Sequence, residues 1–245
     1  MDAMLLAALV AGEGPMRVAD LGAGAGAAGM GVAARIADAE AVLFERSTEM
    51  ADFARRSIAH PANARLAARL SIIETDVTLR GKARLAAGLA DDSFDHVIMN
   101  PPFNDAGDRR APDGLKAEAH AMDDDLFENW IRTAGAILKP GGQLSLIARP
   151  ESIADIIGAC GRRFGGIEIT MLHPREGENA IRLLVTAIKG SRARLIFRAP
   201  LFMHGPFVDG EGAHRFLPFI DDLNNGRTAY PRLAKARKPT PAIAF

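Results

Sequence analysis

From residue 16 onward, short apolar runs alternate with longer stretches in which apolar positions recur every three or four residues. The first pattern predicts buried strands and the second predicts amphipathic helices. Met16-Arg17-Val18-Ala19-Asp20-Leu21 ends in glycine punctuation and leads into an Ala-rich stretch over 27–39, giving strand, loop and helix. Ala41-Val42-Leu43-Phe44-Glu45 predicts a second strand, and good helix formers at helical spacing predict a helix over 48–58. Strands at 70–75 and 93–99 follow, the latter running straight into Asn100. Over 124–138, Leu126, Phe127, Trp130, Ile131, Ala134 and Ile137 share one helical face, with Pro140-Gly141-Gly142 as the stop. A strand at 143–148, a helix at 152–164 and strands at 166–172 and 181–189 complete the series.

Such alternation calls for a doubly wound α/β fold: a Rossmann-like sheet, mostly parallel with an antiparallel final strand, and helices on both faces. Right-handed crossovers place the C-terminal ends of its strands on one edge. The Asp-, Arg-, Gly- and Pro-rich stretch 104–122 has no period and reads as a long loop beside those ends, the usual place for a lid. A further strand fits 194–202, and beyond it Pro, Gly and Asn interrupt any pattern, predicting an extended or partly disordered tail. The expected organisation is a domain over 1–205 and a partly irregular, basic extension over 206–245. The extension carries Arg227, Arg232, Lys235, Arg237 and Lys238, with no acidic residue from 227 to 245.

Composition narrows the setting. The 245 residues, 48% hydrophobic and 24% charged, suit one ample folded domain. A formal net charge of zero means that any nucleic-acid partner must be held by a local patch. A single cysteine, Cys160, offers neither an intrachain disulfide nor a metal cluster; it reads as a small buried hydrophobe and suits a reducing, cytoplasmic setting. The apolar run 4–12 is too short to span a bilayer and follows Asp2 rather than a basic flank, so no membrane anchor is expected. Asp123, Asp124 and Asp125 read as a helix cap and solvated charges, and no metal is expected.

Candidate chemistry begins at Asp20-Leu21-Gly22-Ala23-Gly24-Ala25-Gly26, between a strand and a helix. Glycines there let the backbone turn sharply and approach a ligand beside free helix N-terminal amides. Gly24-x-Gly26-x-x-Gly29 with Glu45 downstream also satisfies a dinucleotide fingerprint, so the loop alone leaves the cofactor open. Asp20, able to face a cationic cofactor end, favours S-adenosylmethionine, and no partner residues for hydride transfer are evident. Glu45 is placed to accept both ribose hydroxyls, and Asp76 the adenine amino group.

Asn100-Pro101-Pro102-Phe103 then adds an acceptor-rich corner. Prolines have fixed φ and no amide donor, so their carbonyls and the Asn100 side chain are left as acceptors. Two acceptors, the Asn100 side chain and the Pro101 carbonyl, can hold the hydrogens of a planar amino group and localise its lone pair, with Phe103 stacked on the ring. Trp130 reads as core, and a salt-bridged turn around Arg175, Glu176 and Arg182 reads as near the ligand edge.

The Asp-x-Gly-x-Gly-x-Gly loop, Glu45, Asp76 and Asn-Pro-Pro-Phe, in this order and spacing, resemble class I amino methyltransferases. Asp2-Ala3-Met4-Leu5-Leu6-Ala7-Ala8, Ala119-His120, His173-Pro174-Arg175-Glu176-Gly177 and Arg182-Leu183-Leu184-Val185 narrow the resemblance. They are similar to the bacterial tRNA adenine-N6 methyltransferase family that modifies tRNA1(Val), whose members are often described only as predicted O-methyltransferases. The resemblance covers about residues 2 to 205, and family members usually extend further upstream. It implies S-adenosylmethionine as cofactor, functional roles for Asp20, Glu45, Asp76 and Asn100, and tRNA as partner. Pro102, His120 and Arg175 are further substrate-side candidates, with the basic tail as a phosphate contact. Protein glutamine methylation, small-molecule O-methylation and a noncatalytic cofactor- or RNA-binding module are the alternatives. The sequence sets no oligomeric state.

Overall fold

A computed structural model of the chain describes residues 1–102, 126–206 and 215–233. Its strands are β1 (Met16–Leu21), β2 (Ala39–Glu45), β3 (Leu70–Glu74), β4 (Phe94–Met99), β5 (Leu138–Ala148), β6 (Phe164–His173), β7 (Arg182–Lys189), β8 (Ile196–Phe197) and β9 (Leu201–Phe202). They form one sheet in the order β3-β2-β1-β4-β5-β7-β6-β8, with β9 also on β6. Neighbours from β3 to β5 run parallel, whereas β7 is antiparallel to both β5 and β6. The expected α/β architecture is therefore present, with the antiparallel strand inserted between two parallel ones rather than laid on the outside.

The helices are α1 (Asp2–Ala8), α2 (Ala27–Arg35), α3 (Thr48–Ala59), α4 (Ala64–Ala67), α5 (Gly81–Ala86), α6 (Leu126–Ile137), α7 (Ile153–Cys160) and α8 (Pro218–Asn224). Side chains alternate across a strand, so the sheet carries two cores. Val18, Ile98, Ile147, Leu172 and Leu184 pack with residues of α1, α2 and α8 on one face. Leu21, Val97, Met99, Leu146 and Val185 pack with Phe127, Trp130, Ile131 and Ala134 of α6 and Ile156 and Cys160 of α7 on the other. Among the described residues, no helix is long and apolar enough to cross a membrane.

Several boundaries differ from the sequence pattern for identifiable reasons. The helix expected over 27–39 stops at Arg35 because Ala39 is captured by β2, opposite Met16. Pro140-Gly141-Gly142 does not follow a helix end directly. Strand β5 already starts at Leu138, opposite Phe94, and resumes at Gln143, opposite His96, so the tripeptide falls in a register shift, with Gly141 at φ +79°. The helix expected to reach residue 164 ends at Cys160, where Gly161 takes φ +47° and the chain turns into β6. The strand expected over 194–202 is two two-residue pieces, β8 and β9, both parallel to β6. In the stretch expected to be an extended or partly disordered tail, residues 218–224 form α8, whose Ile220 and Leu223 are buried. The apolar run near the N-terminus is the buried face of α1.

Candidate active site

The crossover helix after β1, α2, covers one face of the sheet, and α6 after β4 covers the other. In open α/β sheets a crevice opens at such a reversal, outside the C-terminal strand ends. Leu21 pairs with Met99, so Gly22 and Asn100 leave neighbouring strands at the same level. Phe44 pairs with Leu21, and Glu45 with Glu74, which sets Glu45 and Asp76 along the same edge.

Three glycines shape the loop between β1 and α2. Gly22, Gly24 and Gly26 take φ of +69°, +56° and +86°, a region that L side chains rarely enter. Gly22 and Ala23 donate their amides to the Phe44 carbonyl at 2.8 and 3.0 Å. Gly24 donates to Glu45 Oε2 at 2.8 Å, and Ser47 donates to Glu45 Oε1 at 2.7 Å. Each Glu45 oxygen thus accepts one amide and keeps a further lone-pair direction. Gly22 is also closely covered: a Cβ there would lie 2.3 Å from the Trp130 indole. Trp130 is core, as its stripe predicted, and is also the floor of the loop.

Asp20 lies behind this loop, buried, with Oδ2 accepting the Gly29 amide at 2.8 Å. Burial pushes its carboxyl group up to about 7, the Gly29 N–H offsets part of the rise, and the Glu45 charge adds to it. Asp76 forms an Asx-type turn, its Oδ1 accepting from Thr78 N and Oγ1, both at 2.8 Å.

Asn100 stands at the end of β4 with Pro101 buried and Pro102 exposed beyond it. Its Oδ1 is buried and has no hydrogen-bond partner among the described residues. An unmade bond of this kind costs about 1–3 kcal/mol, so the atom marks a place for a donor from a ligand. Phe103 and His120 fall outside the described residues. Arg175 lies in the turn between β6 and β7, 3.7 Å from Glu178, while Arg182 pairs with Asp2 at 2.8 Å. In the tail, Arg227 pairs with Asp221 and Asp222, and Arg232 lies 3.1 Å from buried Glu168, so both have internal carboxylate partners. Among the described residues, no group of acidic, His or Cys side chains is arranged to hold a metal ion. Burial pushes the Cys160 thiol up to about 12, which keeps it inert.

The donor set fits a nucleoside cofactor: a cradle in which a Cβ would clash or strain, a carboxylate for vicinal hydroxyls, and a vacant acceptor on the next strand. Sequence reasoning named Asp20, Glu45, Asp76, Asn100 and the glycines of this edge. It missed the bracing bonds from Gly29 to Asp20 and from Ser47 to Glu45; Gly29 was visible as the last glycine of the dinucleotide-like spacing.

The chain matches the family described as Methyltransferase small domain over residues 2–169. No curated protein matches it. A crystal structure of a predicted O-methyltransferase from Agrobacterium tumefaciens is 60% identical, with a TM-score of 0.83 over 96% of this chain and 100% of that one. TrmN from Thermus thermophilus shares the fold at 18% identity and a TM-score of 0.54, over 77% of this chain and 48% of that one. A SAM-dependent O-methyltransferase from Thermotoga maritima shares it at 17% identity and a TM-score of 0.52, over 78% and 65% of the two chains. A strand order that reverses beside a glycine cradle, a vacant Asn100 acceptor and a family match over residues 2–169 converge: the chain belongs to the methyltransferase small-domain family.

Proposed function

We propose that this methyltransferase acts on a planar amino nitrogen, N6 of adenine in tRNA. S-adenosylmethionine is the methyl donor; when bound, it supplies a methyl group on a cationic sulfur that departs as a neutral thioether. Gly22, Gly24 and Gly26 cradle it, Glu45 accepts its ribose hydroxyls, Asp76 its adenine amino group, and Asp20 acts on its cationic end from behind the loop.

The vacant, buried Oδ1 of Asn100 carries the reading. Together with the Pro101 carbonyl it holds the two hydrogens of an exocyclic amine, turning a delocalised lone pair toward the donor. The work is positioning and charge stabilisation, for which no metal is needed. An amide side chain takes up no proton, which suits an amine that sheds its proton after the new N–C bond forms. The base is turned out of its stack, with Pro102 and Arg175 as substrate-side candidates; Phe103 and His120, outside the described residues, remain the sequence's candidates for stacking on it and orienting it. The tRNA assignment is supported by the resemblance around His173-Pro174-Arg175-Glu176-Gly177. A second reading, O-methylation of a small molecule, is favoured by the 60% identical protein described as a predicted O-methyltransferase. It requires a base for the hydroxyl proton, a role outside the chemistry of Asn100.

Labelled methyl donor, offered with unmodified tRNA, cell protein and a small-molecule extract, separates the readings. Label in tRNA at adenine N6 is expected. Label in protein alone overturns the tRNA assignment in favour of glutamine, label in small molecules alone favours the hydroxyl reading, and cofactor binding without turnover on any fraction leaves a binding module. Asn100→Ala should lower turnover by roughly 10²–10³-fold while leaving cofactor affinity nearly intact.

A further inference from the structure

A cleft of about 190 Å³ lies between α5, α6 and the loop after β3, lined by Leu79, Arg80, Arg84, Arg132 and Thr133 among others. Three arginines line it, and the nearby carboxylates are engaged elsewhere. Arg84 pairs with Asp91 at 2.6 Å. Glu128, the carboxylate on the same helix as Arg132, is engaged through both oxygens by Arg163 at 2.7 and 3.2 Å. Arg80 and Arg132 instead donate to one neutral atom, Asn129 Oδ1, at 2.9 and 2.6 Å. Among the described residues neither has a carboxylate partner within ion-pair distance.

Two cations that converge on a neutral oxygen repel each other, and the arrangement becomes favourable once an anion sits between them. Burial and the adjacent Arg80 charge disfavour the charged form of Arg132 more than Glu128 restores it, an imbalance that a bound anion removes. Guanidinium forks match phosphate oxygens in pairs, which selects a phosphoryl group over a small halide. Arg132 also donates to the Thr78 carbonyl at 3.1 Å, and Thr78 is the residue held by Asp76. The cleft therefore shares a loop with the proposed adenine acceptor.

We infer that the cleft is an oxyanion site in which Arg80 and Arg132 hold a phosphoryl group, supplied by the backbone of a bound RNA or by free phosphate. The RNA source rests on the tRNA reading above; the phosphate chemistry does not.

Two probes distinguish the sources, inorganic phosphate and an unmodified tRNA transcript, applied to the wild-type chain, Arg80→Gln and Arg80→Gln/Arg132→Gln. Lys139→Gln, which removes a charge paired with Asp95 at the opposite edge, is the control. Arg80→Gln alone guards against misfolding, because Arg80 is exposed and its hydrogen bond here goes to Asn129. In phosphate-free buffer it should melt no lower than wild type. If free phosphate is the occupant, it raises the wild-type melting temperature by roughly 3 °C over chloride at matched ionic strength, and the rise disappears in the double variant. If RNA is the occupant, the double variant binds the transcript about three- to tenfold more weakly, with a salt dependence shallower by about one unit, and the control does neither. Phosphate that stabilises all variants equally, together with unchanged transcript binding, overturns the site. A wild-type protein that fails to methylate tRNA overturns the tRNA reading and leaves the phosphate arm standing.

Discussion

At the scale of single residues, Asp20 makes the sharpest demand. Its carboxyl group is buried behind the glycine loop, pushed up to about 7 by desolvation and by the negative Glu45, with one backbone N–H in partial compensation. Between its ordinary value of 3.8 and about 7, the folded chain holds a proton there that the unfolded chain has lost. The group's contribution to stability is therefore complete below the lower value and declines as pH rises toward the upper one. A cationic cofactor reverses the preference, because it favours the ionised form and expels the proton. Affinity for S-adenosylmethionine should accordingly rise about tenfold from pH 6 to pH 8 and level off above. Asp20→Asn should flatten the profile. Trp130, the single tryptophan, packs against Gly22 and gives a fluorescence readout. A wild-type profile as flat as the variant's would remove Asp20 from the cofactor's field. Asp20, Glu45 and Asn100 were legible as ligand-edge residues because each follows or ends an apolar run. Which of their oxygens the loop already uses was not legible, since that depends on where Gly24, Gly29 and Ser47 turn their amides.

Elements were legible where period and packing agree, and less so where the sheet or a glycine decides the ending. The apolar stripe of α6 predicted both its existence and its buried face, and β1, β2 and β4 came from short, largely apolar runs. The end of α2 was overrun because Ala-rich helix formers continue past Arg35 until β2 pairing stops them, whereas α7 ends on the turn at Gly161, the first residue after Cys160. Packing of α2 on the sheet gives the test at this scale. A Cβ at Gly29 would approach the Leu43 side chain to 2.2 Å and Asp20 Oδ2 to 3.2 Å, so the buried Leu43 side chain or the helix would have to shift. Gly29→Ala should cost about 1–3 kcal/mol through overpacking and weaken cofactor binding by shifting the Asp20 brace. Gly158→Ala on α7 is the matched control: it meets open space, and removing a helical glycine there should stabilise by about 0.4–1 kcal/mol. Urea midpoints compare the two directly. Equal shifts of the same sign would show that helix propensity, and not the contact with β2, governs position 29.

The whole molecule is tied together across its C-terminal segment, the part whose sequence pattern was least informative. Tyr230 donates its amide to the Ala8 carbonyl of α1 at 2.8 Å, and its hydroxyl lies 3.2 Å from Thr170 of β6. Arg198 stacks over the Tyr230 ring at 4.0 Å. Arg232 reaches Thr186 of β7 at 2.6 Å and the Gly166 carbonyl of β6. Buried Glu168 lies at the centre, 3.1 Å from Arg232 and 3.6 Å from Arg198, and it also accepts the Leu233 amide at 3.1 Å. Basic tail residues were read from the sequence as candidate phosphate contacts; the buried carboxylate that takes one of them sits some sixty positions earlier, beyond the reach of local pattern. A buried ion pair loses most when one partner is removed, because the other charge is left without compensation. Glu168→Ala should therefore cost about 3–5 kcal/mol, and Glu168→Met/Arg232→Met appreciably less than the sum of its single changes. Denaturant unfolding of the wild type, Glu168→Met, Arg232→Met and the double variant completes the cycle, and limited proteolysis should cut Glu168→Ala first beyond residue 215. Strict additivity, or a single-variant cost below about 1 kcal/mol, would mean that the segment is held by Tyr230, Ile220 and Leu223 rather than by the charges.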